Sequence, residues 1–402
     1  MMEIQSDIQP PSNTTGLQLL QVHAYFRHGD RSPTPLGEAK ARAKLWETRL
    51  QEVPLILQKR EYFPQKFPWG LLTVKGAEQS KALGSWLREL YLPEFCGPEY
   101  DIRNLQSPEK PVIQLRSTNF LRTHLTAWFV LEGLLGSPEA AASVPISCRD
   151  EADENLYHND DHCPRLKKQW YTAWRRARES VGADGEKWHS HFKKMQDAMT
   201  QALEISLDKP GSLLPMDQPG FSWVTAVDTL ECGRFHGDML PPGISDDQIT
   251  EVRQLLARDY ALTFQDREIL QLAVGRLVRE LVDAMSECGT IPTLFLYSGH
   301  DATIMPLSVA LGVPWADWPA YTSCICVELW HSGGGNYFVR VLYDGKGVAL
   351  PLSREDGALK KEILTLDEFR EIANWSMISE AEYSCKCEDM SGLVEGSTSS
   401  AL

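Results

Sequence analysis

Residues Leu17 to Phe26, LQLLQVHAYF, form a mostly apolar run that predicts a buried strand, and the polar RHGDRSPTP after it must leave a sheet at its C-terminal end. The design recurs twice. PVIQLRSTN predicts a second strand with Arg116 at its end, and TLFLYSGHD a third that ends in His300 and Asp301. Helical spacing of apolar residues predicts helices over 73–90, through Ala77, Leu83, Leu87 and Leu90, over 118–135, and over 267–285, where Ile269, Leu270, Ala273, Val274, Leu277, Val278 and Leu281 make one stripe. SCICVELWH and NYFVRVLYD, joined by SGGGN, read as a hairpin. Between about 150 and 285 strand signals give way to charged, Trp-containing helical sequence. The pattern predicts an α/β fold, with a mostly parallel central sheet flanked by helices and built from residues 16–148 and 286–380. The helical insert over 149–285 returns both ends to one sheet edge and so lies over the ligand rim as a cap. Residues 1–15 read as a disordered lead-in and 388–402 as a flexible tail.

Composition changes this picture little. The 402 residues carry 55 Asp and Glu against 40 Lys and Arg, a formal net charge of -15, and 43% of them are hydrophobic. That balance suits a soluble globular chain and excludes a broad nucleic-acid surface, which needs a basic face. No apolar run reaches the roughly 20 residues of a membrane span. The N-terminus has no apolar signal core and carries Glu3 and Asp7, unlike a mitochondrial transit peptide. Nine cysteines without paired spacing leave at least one unpartnered, and the expectation is reduced thiols in a cytoplasmic protein. Asn13 and Asn374 lie in N-x-[ST] sequons that matter only in a secreted chain.

The chemistry is concentrated at the strand ends. Arg27, His28 and Arg31 fall within five residues, where like charges repel, in a chain that is otherwise acidic. If the strands are parallel neighbours, these groups share one rim with Arg116, His300 and Asp301. Guanidiniums around imidazoles suit a compact dianion with several oxygens, because arginine offers paired donors matched to phosphoryl oxygens. The substrate itself then offsets the repulsion.

RHGDRSP and SGHD, with RST between them, resemble the histidine acid phosphatases, branch 2 of the histidine phosphatase superfamily; LTVKGAEQ and DTLECGRFHGDMLP extend the likeness. The resemblance spans most of residues 17–385 and is least marked in the cap. It implies a metal-independent phosphomonoesterase without a cofactor, in which His28 takes the phosphoryl group as a phosphohistidine. Arg27, Arg31, Arg116 and His300 would bind the phosphoryl oxygens and Asp301 would protonate the leaving group. RSTNFLR, DEADENLY and DREILQLAVG resemble family members that act on lysophosphatidic acid, which implies a lysophospholipid phosphate as one candidate substrate and mitochondria as an alternative location.

Two rival readings remain beside the small-monoester phosphatase: an inositol-polyphosphate phosphatase or phytase, and a non-catalytic phosphate- or phospholipid-binding relative. His158, His162, Cys163, His189 and His191 match no structural zinc spacing, so no metal site is assigned. Asp301 could cap the helix after it, a role compatible with catalysis. Asp30 fills the variable position of its motif, His236 reads as packing in the cap, and Cys385 and Cys387 read as tail. Oligomeric state is not legible.

Overall fold

The computed structural model describes residues 16–34, 40–64, 66–96, 106–107, 110–111, 113–179, 185–203, 222–289, 291–314, 317–355 and 357–391. The expected lead-in, and the tail beyond residue 391, lie outside them. An eight-stranded sheet organises the chain, in the spatial order Ile363–Thr365, Tyr337–Tyr343, Cys324–Ser332, Leu17–Arg27, Thr293–Gly299, Ile113–Ser117, Ile146–Ser147, with Lys346–Gly347 added beside Tyr337–Tyr343. Five of the eight strands run in one direction, and the parallel half holds the first strand, Thr293–Gly299, Ile113–Ser117 and Ile146–Ser147. The hairpin 324–343 supplies antiparallel pairing on the other side of the first strand.

The helices are α1 (Lys40–Glu47), α2 (Val74–Cys96), α3 (Leu121–Leu135), α4 (Pro138–Ala142), α5 (Pro164–Glu179), α6 (Gly185–Ala202), α7 (Trp223–Phe235), α8 (Asp246–Thr263), α9 (Arg267–Ser286), α10 (Asp301–Leu311), α11 (Leu366–Asn374) and α12 (Glu380–Glu388). The first strand is buried on both faces, as its unbroken apolar run requires. Val22, Ala24 and Phe26 alternate onto the face covered by Leu83 and Leu87 of α2 and Leu131 and Leu134 of α3. Tyr25 turns to the opposite face, where Leu270, Val274 and Leu281 of α9 pack with Leu307 of α10 and Phe369 of α11. The result is helix, sheet, helix, with the site at the C-terminal rim of the parallel strands.

Two sequence expectations are corrected here. Helix α9 was placed in the cap, but its stripe is apolar because it covers the sheet, so the insert ends before Asp266. The cap is a smaller body with its own apolar cluster: Met195 and Met199 of α6, Trp223, Val227 and Leu230 of α7, and Ile249, Val252 and Leu256 of α8. The thiols are not all reduced either. Cys163 at the start of α5 is bonded to Cys387 in α12, across a sequence separation of 224, because both helices pack on α9. Cys387 therefore belongs to an anchored helix rather than to a tail.

Candidate active site

Register fixes the rim. Arg27 pairs with Gly299, so the chain leaves both strands together and sets His28 beside His300, with ring centroids 5.6 Å apart. The loop after the first strand is tied on every side: the His28 amide donates to the Gly299 carbonyl at 3.0 Å, the Gly29 amide to Thr126 Oγ1 of α3 at 3.1 Å, and the Thr73 amide to the Asp30 carbonyl at 3.0 Å. Gly29 faces Gly76 so closely that a Cβ on Gly29 would lie 2.3 Å from the Gly76 carbonyl oxygen. Both RHGDR and LTVKG thus need glycine where the two backbones meet.

The His28 imidazole is buried and oriented. Its Nδ1 donates to the Gly29 carbonyl at 2.8 Å, which leaves Nε2 as the bare ring nitrogen. Burial, then the charges of Arg122, Arg31 and Arg27 and the His300 ring, push its pKa well below the usual histidine value and keep it neutral. His300 is held the same way. A guanidinium nitrogen of Arg122 donates to its Nδ1 at 3.4 Å, so its protonated Nε2 donates to Thr118 Oγ1 at 2.9 Å. Burial, with Arg122 next, lowers the His300 pKa as well.

Asp301 opens α10 at the rim. Burial pushes its carboxyl up, but the Arg27 charge, a hydrogen bond from Trp318 and the Arg31 charge outweigh it and hold its pKa at about 2. Arg27 reaches its Oδ2 at 3.1 Å and Trp318 Nε1 reaches the same oxygen at 2.9 Å. Arg27 also lies over the Tyr321 ring, 4.5 Å from its centroid. Arg31 is clamped from the cap by Asp228 of α7, both N–O distances being 3.0 Å.

Of the residues singled out in the sequence, the rim brings together Arg27, His28, Arg31, His300 and Asp301 and leaves out Arg116. Arg116 pairs in register with Tyr297, two residues short of the rim, and donates to Glu280 of α9 at 3.2 Å and to Asn155 at 2.6 Å. The third guanidinium is Arg122, in the first turn of α3. It is half-buried, and desolvation together with the charges of Arg31 and Arg27 lowers its pKa to about 9, so it stays cationic at acid and neutral pH. The signal was present in RSTNFLR: a strand that ends at Ser117 delivers to its rim the residues of the helix that follows, not its own last basic residue. Asp228, the first residue of DTLECGRFHGDMLP, had no role assigned to it, and nothing local in the sequence ties Trp318 and Tyr321 to the motifs.

A cavity of about 1100 Å³ opens between rim and cap. Arg27, Arg31 and Asp301 lie at its base; Val227, Phe235, Leu256, Tyr260, Met305 and Trp318 contribute apolar wall. His158 also lines it, stacked on Trp170 with ring centroids 4.6 Å apart. Among the described residues no group of three or more His, Cys, Asp or Glu is placed to hold a metal ion. Cys163 is closed in its disulfide, and the side chains of His189 and His191 lie outside the described set. Asp30, assigned no role from sequence, accepts from His236 Nε2 at 2.6 Å, joining the loop after the first strand to the end of α7.

The family model of the histidine phosphatase superfamily (branch 2) matches residues 18–219 and 263–344. The chain belongs to this family. It is accordingly an acid phosphatase by kind, a phosphoric monoester hydrolase. Prostatic acid phosphatase of Homo sapiens is 30% identical over 346 residues, covering 81% of this chain and 77% of that protein. Lysophosphatidic acid phosphatase type 6 of Bos taurus is 27% identical over 427 residues, covering 97% and 91%. Among solved structures, the apo phytase of Hafnia alvei superposes with a TM-score of 0.60 at 16% identity, covering 92% of this chain and 98% of that one, a likeness of fold. The unmatched segment 220–262 of this histidine phosphatase holds α7 and α8, the cap helices over the cavity.

Proposed function

We propose that this protein is a metal-independent acid phosphomonoesterase that works through a phosphohistidine on His28 and takes monoesters with an apolar leaving group, of the lysophospholipid phosphate type. The observation that carries the mechanism is the convergence of Arg27, Arg31 and Arg122 around a neutral His28, with Asp301 beside them. Each guanidinium has a buried Nε without a protein partner, a donor left for a phosphoryl oxygen. His28 Nε2 attacks phosphorus in line, the arginines carry the equatorial charge with His300 holding Arg122 beside them, and Asp301 gives its proton to the departing oxygen. Water then cleaves the N–P bond, with Asp301 as the base.

Asp301 is ionised in the free enzyme because Arg27 attracts it. A bound phosphoryl dianion competes for that same Arg27 charge, which raises the carboxyl's proton affinity at the moment an acid is needed. The cavity's charges support one phosphoryl group per substrate. Beyond the base, Arg253 is committed to Glu231 at 3.0 Å and to Asp317 at 2.8 Å, and Arg234 to Asp246 at 2.7 Å. Lys75, the remaining cation among the described lining residues, donates to the Phe235 carbonyl at 2.6 Å, and the apolar wall favours an acyl chain. The full catalytic set argues against a binding-only relative. For location, we take the Cys163–Cys387 disulfide as support for an oxidising compartment over the cytoplasm.

The test is phosphate release from lysophosphatidic acid, glycerol phosphate and inositol hexakisphosphate, with acid-labile radioactive labelling of wild type and His28→Ala. We expect labelling only in wild type, and kcat/KM highest for the lysolipid. Labelling in His28→Ala removes the nucleophile assignment; preference for the hexakisphosphate removes the substrate class.

A further inference from the structure

A donor that the sequence motifs do not contain stands against the acid. Trp318, from the loop between α10 and the strand Cys324–Ser332, donates its indole N–H to Asp301 Oδ2 at 2.9 Å. Its other contacts face the cap: its ring meets Tyr260 of α8 edge-on at 5.2 Å, and neighbouring Asp317 receives Arg253 of α8 through both carboxylate oxygens, at 3.1 and 2.8 Å. Trp318 also lines the cavity where a leaving group must sit.

We propose that Trp318 is a positioning residue for the general acid, holding Asp301 Oδ2 as an acceptor so that the carboxyl keeps one orientation toward the leaving group when a phosphoryl group engages Arg27. The inference rests on the reading of Asp301 as that acid. Indole and guanidinium are donors only. In the free enzyme both Arg27 and Trp318 donate to Oδ2, while Oδ1 takes the Ala302 amide at 2.8 Å. Once a phosphoryl group engages Arg27, Trp318 is the remaining side-chain donor on Oδ2. With the Trp318 indole on Oδ2 and the Ala302 amide on Oδ1, the plane of the carboxyl stays fixed at the cavity base. The step balances as follows: the His28 Nε2–P bond forms, the ester P–O bond breaks, and the Asp301 carboxyl proton passes to the departing oxygen, leaving a carboxylate that Trp318 again stabilises.

The charges around Asp301 come from several elements: Arg27 and Arg31 from the catalytic loop, Arg122 from α3, His300 beside it, and His158 across the cavity. Trp318 is neutral, so it adds direction without adding to that field. Its coupling to α8 also ties the acid's orientation to the seating of the cap.

The test compares an alkyl phosphate, whose alkoxide needs a proton, with nitrophenyl phosphate, whose phenolate does not. In Trp318→Phe, which keeps an aromatic ring against Tyr260 and loses the N–H, we expect kcat/KM to fall at least about fivefold more for the alkyl ester. Removing a donor that favours the ionised carboxyl raises its pKa, so the alkaline limb of the alkyl ester's kcat should move to higher pH. Trp318→His, which restores a ring N–H, should recover part of the alkyl selectivity. Inhibition by inorganic phosphate and the Tm of each variant report on the phosphate site and the fold. Equal losses on both esters with an unmoved limb, no loss at all, or a His variant matching the Phe variant would overturn the inference. Asp301→Asn separates it from its premise: if that variant is selective for the alkyl ester and Trp318→Phe is not, only the role of Trp318 fails. If Asp301→Asn hurts both esters alike, both fail.

Discussion

The carboxylate of Asp228, on the cap, meets the guanidinium of Arg31, on the core, fork to fork, with both N–O distances at 3.0 Å. The Thr34 amide and hydroxyl reach the same carboxylate, each at 3.3 Å. A phosphoryl dianion bound at Arg31 must share that cation with Asp228. Removing the charge and keeping an acceptor, as in Asp228→Asn, should therefore tighten inorganic phosphate, lowering its inhibition constant several-fold. Turnover should fall with it through slower product release. An unchanged or weaker phosphate constant would mean that Asp228 only orients Arg31.

Arg122 and Arg116 should behave oppositely. Arg122→Ala removes a half-buried cation beside His28 and His300, and its kcat/KM should drop at least about a hundredfold on every monoester, since the phosphoryl group is common to all. Arg116→Ala removes one of the two arginines on Glu280 and the donor to Asn155 Oδ1, and should lower the Tm with a loss of activity below about tenfold. The comparison is steady-state kinetics on two esters with thermal unfolding alongside; the reverse pattern would restore Arg116 to the site.

The acid's own substitution separates proton transfer from binding. Asp301→Asn cannot donate as a carboxylic acid does, so its loss in kcat/KM should be at least about tenfold larger for an alkyl phosphate than for nitrophenyl phosphate, roughly 1.4 kcal/mol of barrier. Equal losses with a raised KM alone would make Asp301 a binding residue.

Acid stability has a separate origin. His23 and His124 are buried, and burial lowers each pKa to about 3. Below the unfolded value of about 6.5 the unfolded chain binds protons that the folded chain refuses, so stability falls with pH from there toward 3. Asp301 acts in a lower window: its depressed pKa contributes stability above the unfolded carboxyl value that is lost as pH falls toward 2. His23→Gln should flatten the first window, losing roughly 2 kcal/mol less than wild type between pH 6.5 and 4.5. Urea unfolding across that range measures it; parallel curves for mutant and wild type would contradict the account.

The bond between Cys163 and Cys387 closes a long loop, and in the chain-entropy picture such a cross-link contributes about 3–5 kcal/mol. The double serine variant should unfold at a markedly lower temperature. Alkylation of the denatured chain without reductant should spare both cysteines, as peptide mapping would reveal; modification of either one would show the bond open.

The strands and their rim were legible because a polar motif directly after a buried strand has only the sheet edge to occupy. Arg116 misled because the sequence shows a basic residue near a strand end but not which face it takes, and register with Tyr297 turns it toward Glu280. Helix α9 was assigned to the cap by adjacency in sequence, although its stripe of Ile269, Leu270, Ala273 and Val274 needed a sheet-sized partner that the polar insert does not offer. Asp228 and Trp318 come from the insert and from a late loop, so their contacts with Arg31 and Asp301 are products of chain return that no local pattern encodes. The disulfide escaped for the same reason.

The cap's apolar cluster of Met199, Trp223, Leu230 and Ile249 is separate from the clusters that hold the sheet. Mutation can therefore reshape the surfaces that meet a leaving group while the machinery that breaks the ester bond stays fixed in a different body. Asp228 limits that freedom: a cap that drifts toward a new substrate must still present a carboxylate to Arg31, so selectivity is free to diversify along α7 and α8 at the positions that do not meet Arg31, Asp30, Asp317 or Trp318.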